Sequence, residues 1–372
     1  MDPIVLAGRI LTPAGWTAGS LRCTAQIAAI EPGPAPEGRF IVPGFVDLHV
    51  HGGAGADCMA GADAVRRMAR FHARHGTTSL LATTVTAPAD ALRAAMAGIA
   101  AAMAEPGDGG ARVLGTHLEG PFVSPRALGA QPPFAIPPDP SLVEELAATA
   151  PIRVATYAPE IDPEGALLAC FRRLGIRAQI GHTTCSYAQA RMALANGAAG
   201  FTHLYNAMSG LHHRQPGTVG AALAHAESAE LILDLQHVDE GAALAALRAI
   251  PKLHCITDAM AAAGMPDGDY LLGTRTITKR GDTVRLADGS LAGSVLTMDR
   301  ALQNLLALGL PLAEAARRCS TLPADHLGLA DRGRLVPGAA ADLVVLDARG
   351  RLEAVLVEGR AVEEVAGDIG PG

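Results

Sequence analysis

The stretch PGFVDLHVHG, residues 43–52, is an apolar run bounded by glycines that ends in imidazole side chains. Such a run predicts a short buried β-strand over Phe45–His49. Side chains two residues apart on an extended strand leave the same face, so His49 and His51 can converge on one point. The stretch therefore predicts a strand whose carboxyl end presents two metal-compatible side chains.

Seven further apolar runs follow along the chain, and Ala-rich segments with helical character lie after several of them. The runs are Ser79–Val85, Val113–Leu118, Arg153–Tyr157, Ile176–Gly181, Gly200–His203, Glu230–Gln236 and Leu253–Thr257. The helical candidates are Ala62–His75, Pro88–Met103, Ser186–Asn196 and Asp239–Ala249, with one more near Met298–Leu308. Eight strands interleaved with helices predict an α/β protein built on a (β/α)8 TIM barrel, for which ~250 residues is typical.

Both ends of the chain have a different character, with short apolar runs broken by Gly and Pro. These runs are Ile4–Leu6, Gln26–Ile30, Phe40–Val42, Ala341–Leu346 and Leu352–Val357. We expect the two ends, residues 1–43 and 333–372, to meet in one small β-sandwich domain. The barrel domain then covers residues 44–332 and carries a polar, Gly-rich β-hairpin insert near 268–293.

Composition and charge exclude several classes of protein. The chain has 372 residues and is 49% apolar, yet no stretch of about 18 apolar residues is free of polar breaks, which argues against a membrane span. A net charge of −7 offers no basic surface for nucleic acid. The six cysteines show no C-x-x-C pair, and the amino terminus lacks the pattern of a secretory signal, so we expect a cytoplasmic protein.

Ionisable side chains terminate most of the predicted barrel strands. Besides the first strand, the third ends in Glu119, the fifth in His182, the sixth in His203 and the eighth in Asp258. Active sites of such barrels lie at the carboxyl ends of the strands. Because imidazole and carboxylate gain little from a core without partners, their joint placement predicts a metal centre, and Zn, Fe, Mn and Co all accept these ligands.

The same segments resemble the amidohydrolase superfamily and, within it, the N-acetylglucosamine-6-phosphate deacetylases. The resemblance covers almost the whole chain and rests on residues 43–52, 118–122, 181–183, 202–208, 257–259 and 291–294. PGFVDLHVHG indicates only the superfamily, whereas LEGP followed by THLYNAM points to the deacetylases. Other branches use a carbamylated lysine on strand four, but that strand reads VATYAP and neither Lys252 nor Lys279 lies there.

The resemblance implies a site and a mechanism. Glu119, His182 and His203 would hold one divalent ion with an open position for water, and Asp258 would act as general base and then as general acid. His49 and His51 match a second metal position that Glu119 is able to bridge. The resemblance thus implies one or two ions per chain.

It also implies a phosphorylated amino-sugar substrate. Asn206, Ala207 and Arg214 match positions that bind the phosphate, and His237 matches another ligand-facing histidine. Gln131 stands where family members commonly carry a histidine that donates to the substrate acetyl carbonyl; an uncharged amide there would stabilise a developing oxyanion less. Because part of this pocket can come from a neighbouring subunit in the family, a homodimer is expected.

The implied reaction is hydrolysis of the acetamide of N-acetyl-D-glucosamine 6-phosphate to D-glucosamine 6-phosphate and acetate. Two alternatives stay open. The substrate could be another acyl amino sugar, either N-acetylgalactosamine 6-phosphate or an unphosphorylated sugar, or the chain could be a catalytically inactive barrel scaffold.

Overall fold

A computed structural model describes residues 3–363 of the chain. Within them the chain forms twenty strands: β1 (Ile4–Thr12), β2 (Gly15–Cys23), β3 (Ile27–Pro32), β4 (Phe40–Pro43), β5 (Phe45–Val50), β6 (Gly52–Gly53), β7 (Ala56–Asp57), β8 (Thr77–Thr83), β9 (Arg112–Glu119), β10 (Ile152–Tyr157), β11 (Arg177–Ile180), β12 (Gly200–Phe201), β13 (Ser228–Ile232), β14 (Lys252–Ile256), β15 (Gly268–Leu272), β16 (Arg275–Arg280), β17 (Thr283–Arg285), β18 (Leu343–Leu346), β19 (Leu352–Val357) and β20 (Arg360–Ala361).

The same residues form ten α-helices: α1 (Ala62–Arg74), α2 (Ala89–Ala104), α3 (Pro140–Thr149), α4 (Ala166–Arg173), α5 (Tyr187–Ala195), α6 (Gly217–His225), α7 (Glu240–Ala249), α8 (Met298–Ala307), α9 (Leu312–Cys319) and α10 (Thr321–His326). Single 3-10 turns lie at Cys58–Ala60 and Pro159–Ile161. None of the helices within residues 3–363 combines the length and apolar character that a bilayer crossing requires.

Eight parallel strands form a closed barrel; one α-helix follows each of the first seven, and α8, α9 and α10 follow the eighth. Six of them are hydrogen-bonded in the order β12-β11-β10-β9-β8-β5, and β13 pairs with β14. The ring closes where β12 lies against β13 and β14 lies against β5. Every residue of β5, β8 and β13 is buried. This is expected in a barrel, where one face of each strand packs against the side chains that fill the interior and the other face packs against the surrounding helices. The predicted (β/α)8 barrel is confirmed.

Strand seven of the barrel, β13, lies earlier in the chain than the sequence predicts. The predicted run Glu230–Gln236 overshoots, because the strand ends at Ile232. The Asp234 carboxylate accepts hydrogen bonds from the backbone N–H groups of Gln236 and His237, both at 2.8 Å, and Leu235 has a φ of +60°. These features make a turn, so His237 lies in the loop after the strand instead of at its end.

The two ends of the chain share one seven-stranded sheet in the order β20-β19-β18-β4-β1-β2-β3. Strand β2 of this sheet was not among the predicted runs. It pairs antiparallel with β1 over its full length. Residues 364–372, which the domain prediction includes, lie outside the described residues. The insert after β14 is a three-stranded antiparallel sheet, β15-β16-β17, with one strand more than the predicted hairpin.

A partly buried ionic network joins this sheet to the barrel. The Arg332 guanidinium contacts the carboxylates of both Asp342 and Glu358, and Glu358 also contacts Arg112 at the start of β9 at 2.5 Å. Asp342 is only 2% exposed. Burial raises the pKa of Asp342 to about 6, although the charge of Arg332 opposes that shift. The network therefore depends on Arg332 to stabilise a carboxylate that has lost its water.

Replacing Arg332 should destabilise the protein far more than replacing an exposed arginine. Arg332→Ala leaves Asp342 buried without its counter-charge, which costs about 3 kcal/mol in comparable pairs. Arg173→Ala, which removes an exposed pair with Glu144, should cost less than about 1 kcal/mol. Urea unfolding measures both, and equal losses for the two variants would contradict the prediction.

Candidate active site

Three of the predicted site residues have unusual backbone conformations just after barrel strands. His182 follows β11, His203 follows β12 and Asp258 follows β14, with φ of +45°, +29° and +50° respectively. This left-handed region is unfavourable for residues with a Cβ atom and persists where the surroundings impose it. The turn lets the chain leave the strand while its side chain points back over the barrel mouth.

The first half-site consists of Glu119, His182 and His203. Glu119 Oε1 lies 3.1 Å from His182 Nε2 and 3.0 Å from His203 Nε2, and the two nitrogens are 3.1 Å apart. Ligand atoms around a tetrahedral ion with bonds of about 2.0–2.1 Å lie roughly 3.3 Å apart. The three atoms therefore have nearly the spacing that one small divalent ion requires.

The second half-site consists of His49, His51 and Asp258. Their two Nε2 atoms are 3.2 Å apart, and Asp258 Oδ1 lies 3.2 Å from that of His51 and 3.6 Å from that of His49. Glu119 reaches this half-site as well, because its Oε2 lies 3.1 Å from His51 Nε2. One carboxylate thus presents a different oxygen to each half-site, which is the arrangement of a bridging ligand.

The hydrogen bonds on the far side of the imidazoles fix which nitrogen faces the site. The Nδ1 atoms of His51 and His182 donate to the backbone carbonyls of Thr83 and Ala127, both at 2.9 Å, because a carbonyl can only accept. His49 Nδ1 donates to the carboxylate of Glu230 at 3.1 Å. In the neutral rings the Nε2 lone pairs therefore converge at about 3 Å and repel one another unless a cation lies between them.

The electrostatics of the site likewise call for positive charge. Burial lowers the pKa of His51, but hydrogen bonds to Asp258 and Glu119 and their negative charge raise it to about 9. Burial raises the pKa of Asp258, but His49 and His51 hold it at about 2. Without a metal ion, protons on the imidazoles supply the positive charge that the buried carboxylates need. A divalent ion can replace these protons, because it binds the same imidazole nitrogens and carboxylate oxygens.

Asp47 anchors the strand end that carries Asp258. Thr257 Oγ1 donates to Asp47 Oδ2 at 2.6 Å, and the Thr257 backbone N–H donates to Oδ1 at 3.2 Å. Burial raises the pKa of Asp47 to about 7, against the effect of both Thr257 hydrogen bonds. Asp258 itself donates its N–H to the His49 carbonyl at 2.9 Å. The first and eighth strands are thereby tied together beside the second half-site.

A cavity of about 240 Å³ opens directly above both half-sites. Its walls include Asn206, Ala207, His237 and Gln131 from the predicted substrate residues. The side chain of His237 is fixed by Asp234, whose Oδ2 lies 2.6 Å from His237 Nδ1. The Asn206 amide donates to the backbone carbonyls of His203 and Leu204, so its N–H groups stabilise the local turn.

Gln131 is held in one orientation. Its Oε1 accepts the Thr86 backbone N–H at 2.7 Å, which turns its NH₂ group towards the site, where that group donates to Glu119 Oε2. Gly120 permits this crowding, because a Cβ atom at that position would lie 2.1 Å from Thr86 Oγ1. The second N–H of the Gln131 amide remains as a neutral donor beside the cavity.

Arg214 lies apart from the other predicted substrate residues. It is exposed, contacts the neighbouring ring of His213 at 2.9 Å, and is not among the residues that line the cavity. The whole segment from Gly210 to Gln215 is exposed, including Leu211 at 58%. Within a single chain, therefore, the arginine is not brought to the site.

Sequence reasoning missed Glu230 as a site residue, although it lay inside a predicted strand. It is fully buried on β13 and belongs to a group with His49 and His117 that could hold a metal ion, besides the two half-sites. The signal in the sequence was an acidic residue inside an apolar strand, because a carboxylate in such a place needs a partner.

Comparison with known proteins identifies relatives over nearly the whole chain. Residues 40–362 match the model of the Amidohydrolase family. The chain is 40% identical over 97% of its length to N-acetylgalactosamine-6-phosphate deacetylase from Escherichia coli O157:H7, of which the match covers 99%. It is 40% identical over 84% of its length to N-acetylglucosamine-6-phosphate deacetylase from Bacillus subtilis, covering 82% of that protein.

A solved structure has the same overall fold. A mutant of N-acetyl-D-glucosamine-6-phosphate deacetylase from Mycobacterium smegmatis, in complex with N-acetyl-D-glucosamine-6-phosphate, superposes with a TM-score of 0.90 at 34% sequence identity. The match covers 97% of the present chain and 100% of that one.

The geometry predicts that removal of divalent metal destabilises the folded protein. A ligand at a thousand times its Kd contributes about 4 kcal/mol, and here its loss also leaves converging lone pairs and buried carboxylates uncompensated. The thermal midpoint should fall on treatment with a chelator and recover when Zn²⁺ is restored. Glu119→Gln, which weakens both half-sites, should respond much less. Identical midpoints with and without metal in the unaltered protein would contradict the prediction.

Proposed function

The chain belongs to the amidohydrolase family, and we propose that it hydrolyses the acetamide of N-acetyl-D-glucosamine 6-phosphate to D-glucosamine 6-phosphate and acetate. The observation that carries the proposal is the meeting of Glu119, His182, His203 and Asp258 at the floor of one cavity. Relatives with this named activity that match most of this chain support it.

The residues of the two half-sites fit one or two divalent ions, of Zn, Fe, Mn or Co. Glu119, His182 and His203 would hold the first ion, and His49, His51 and Asp258, with Glu119 as the bridge, would hold the second. When bound, such an ion polarises the substrate carbonyl and lowers the pKa of water towards ~7.

Asp258 is the group that handles protons. Its carboxylate is ionised at neutral pH, because the neighbouring imidazoles keep its pKa at about 2. It accepts a proton from the attacking water and returns that proton to the nitrogen of the leaving amine. Its fixed backbone, held between His49 and Ser294, keeps the carboxylate over the reacting carbon.

Gln131 is the donor for the acetyl carbonyl in this proposal. Its amide is already oriented by Thr86, so little freedom is lost when it donates to the oxygen of the substrate. A neutral donor stabilises the developing negative charge less than a cationic one. The reaction in this chain therefore relies more on the ions than it would with a histidine at the same place.

The phosphate site is completed by a second copy of the chain in our proposal. The cavity of about 240 Å³ is below the ~300–1,000 Å³ typical of small-molecule sites, and Arg214 lies outside it. The loop around Arg214 is exposed and carries the apolar side chain of Leu211 together with this arginine, which does not reach the cavity of its own chain. Such a surface suits a contact between subunits. In a homodimer the Arg214 guanidinium would reach the cavity of its partner and bind the phosphate through two hydrogen bonds.

The galactosamine epimer is a second candidate substrate. The relative named for N-acetylgalactosamine 6-phosphate matches over 97% of this chain, whereas the Bacillus relative matches over 84% of it. Comparing kcat/KM for the two sugar phosphates and for the unphosphorylated sugars decides between these substrates. Absence of acetate release from every one of them in metal-loaded protein would favour the inactive scaffold.

We propose a cytoplasmic location as well, with the sugar phosphate as partner and neither nucleic acid nor membrane. The six cysteines support it, because all are buried and free, as expected in a reducing compartment.

Asp258→Asn should abolish most of the acetate release while the protein still folds. Loss of a general acid–base group lowers kcat by about 10²–10⁴-fold, and the amide keeps the size of the side chain. Asp63→Asn, at a fully exposed carboxylate, is the matched control and should retain full activity. An Asp258→Asn enzyme with normal kcat would eliminate Asp258 as the base.

Arg214→Ala should raise KM for the phosphorylated sugar about 10–100-fold, the range for loss of a hydrogen bond to a charged group. The unphosphorylated sugar should be turned over unchanged, and Arg300→Ala, at another exposed arginine, should alter neither.

Mixing two variants tests whether the arginine acts across subunits. Arg214→Ala and Asp258→Asn protomers are each impaired alone, but a mixed dimer holds one site with Asp258 from one chain and Arg214 from the other. Recovery of activity on mixing is expected. If mixed dimers form and no activity returns, Arg214 does not act in the partner's site.

A further inference from the structure

Glu230 lies directly beneath the two half-sites. Its Oε2 accepts the Nδ1–H of His49 at 3.1 Å and, more weakly, the backbone N–H of His203 at 3.4 Å. Its backbone carbonyl accepts the N–H of Leu204 at 2.9 Å. This one residue therefore contacts a side chain of the second half-site and the main chain of the first.

The contact with His49 acts on the ring, whereas the contact with His203 acts only on the backbone. A carboxylate on Nδ1 fixes the imidazole tautomer, aims Nε2 at the site and makes that nitrogen a better ligand. The ring nitrogen His203 Nδ1 makes no hydrogen bond among the described residues. The influence of Glu230 on the ligands is thus unequal and favours the second half-site.

Charge balance points the same way. Glu119, Asp258 and Glu230 are all buried, and their close partners are imidazoles. The ring nearest to Glu230 Oε1 is that of His117, whose Nδ1 lies 3.8 Å away and donates to the Leu48 carbonyl. One divalent ion leaves the three carboxylates with net negative charge. Two divalent ions neutralise the three carboxylates and leave one positive charge, which one hydroxide can balance. A site without net charge is less costly in a medium of low dielectric constant.

We propose that Glu230 is a positioning residue that sets the affinity of the second half-site and so makes this chain a two-ion protein. The inference rests on the metal-dependent function proposed above. It concerns the binding of the ion and does not require that a particular sugar be the substrate.

Glu230→Gln tests the proposal, because the amide can still accept from His49 but carries no charge. Metal-stripped protein is titrated with Zn²⁺ by calorimetry, and bound ions are counted by elemental analysis after gel filtration. The unaltered chain should bind two ions. The variant should bind the first with unchanged affinity and the second about 10–100-fold more weakly, the usual effect of removing such a partner.

Two controls accompany the variant. His51→Asn removes a direct ligand of the second half-site and should show the same selective loss. Asp342→Asn alters another buried carboxylate, remote from the barrel mouth and paired with Arg332, and should keep both ions even where stability falls. If Glu230→Gln does not fold, Glu230→Asp keeps the charge but withdraws it from His49 and should give the same loss.

Three results would overturn the proposal: an unaltered chain that binds a single ion, a Glu230→Gln protein that binds both ions normally, or parallel weakening of both. Acetate release is assayed separately. Selective loss of the second ion in a protein that cleaves none of the sugars would preserve this inference and reject the proposed substrate.

Discussion

The mutual repulsion of converging lone pairs is the constraint on which the rest of the site depends. His51 and His182 each give their Nδ1 proton to a backbone carbonyl, so their other nitrogens must face the centre. The protein places these nitrogens and three carboxylates in a small buried volume, an arrangement that is unfavourable on its own. The barrel holds it because the ligands come from the ends of five strands, with His49 and His51 sharing the first of them, and the packing of the strands fixes the distances.

The location of these ligands was predictable because of the symmetry of the fold. Parallel strands in a barrel bring their carboxyl ends to one rim, so a histidine or carboxylate at the ends of five of the eight apolar runs was enough to assemble both half-sites. Helices α3, α4, α6, α9 and α10 were not predicted, whereas α1, α2, α5, α7 and α8 were predicted and lie within about a residue of their predicted bounds. Such elements are specified by local sequence, and tertiary packing alters them little.

The remaining features depend on contacts between distant residues, which a linear reading cannot weigh. The turn at Asp234 ended β13 early, because a side-chain hydrogen bond competed successfully with the strand ladder. Strand β2 escaped notice because its glycines and polar residues resemble a loop until β1 supplies its partner. Glu230 became meaningful only when His49, 181 positions earlier, was found against it. Arg214 is exposed and lies apart from the cavity of its own chain, and this separation is visible only once the chain has folded.

The placement of β4 between β1 and β18 has a consequence for biosynthesis. During translation the amino-terminal strands leave the ribosome first, but one edge of β4 can be covered only by Leu343–Leu346, which is made near the end. Until then β4 offers unpaired backbone groups to any other extended chain. Pairing of this edge with β18 therefore comes only after all eight barrel strands have been synthesised, the last of which ends at Ile256.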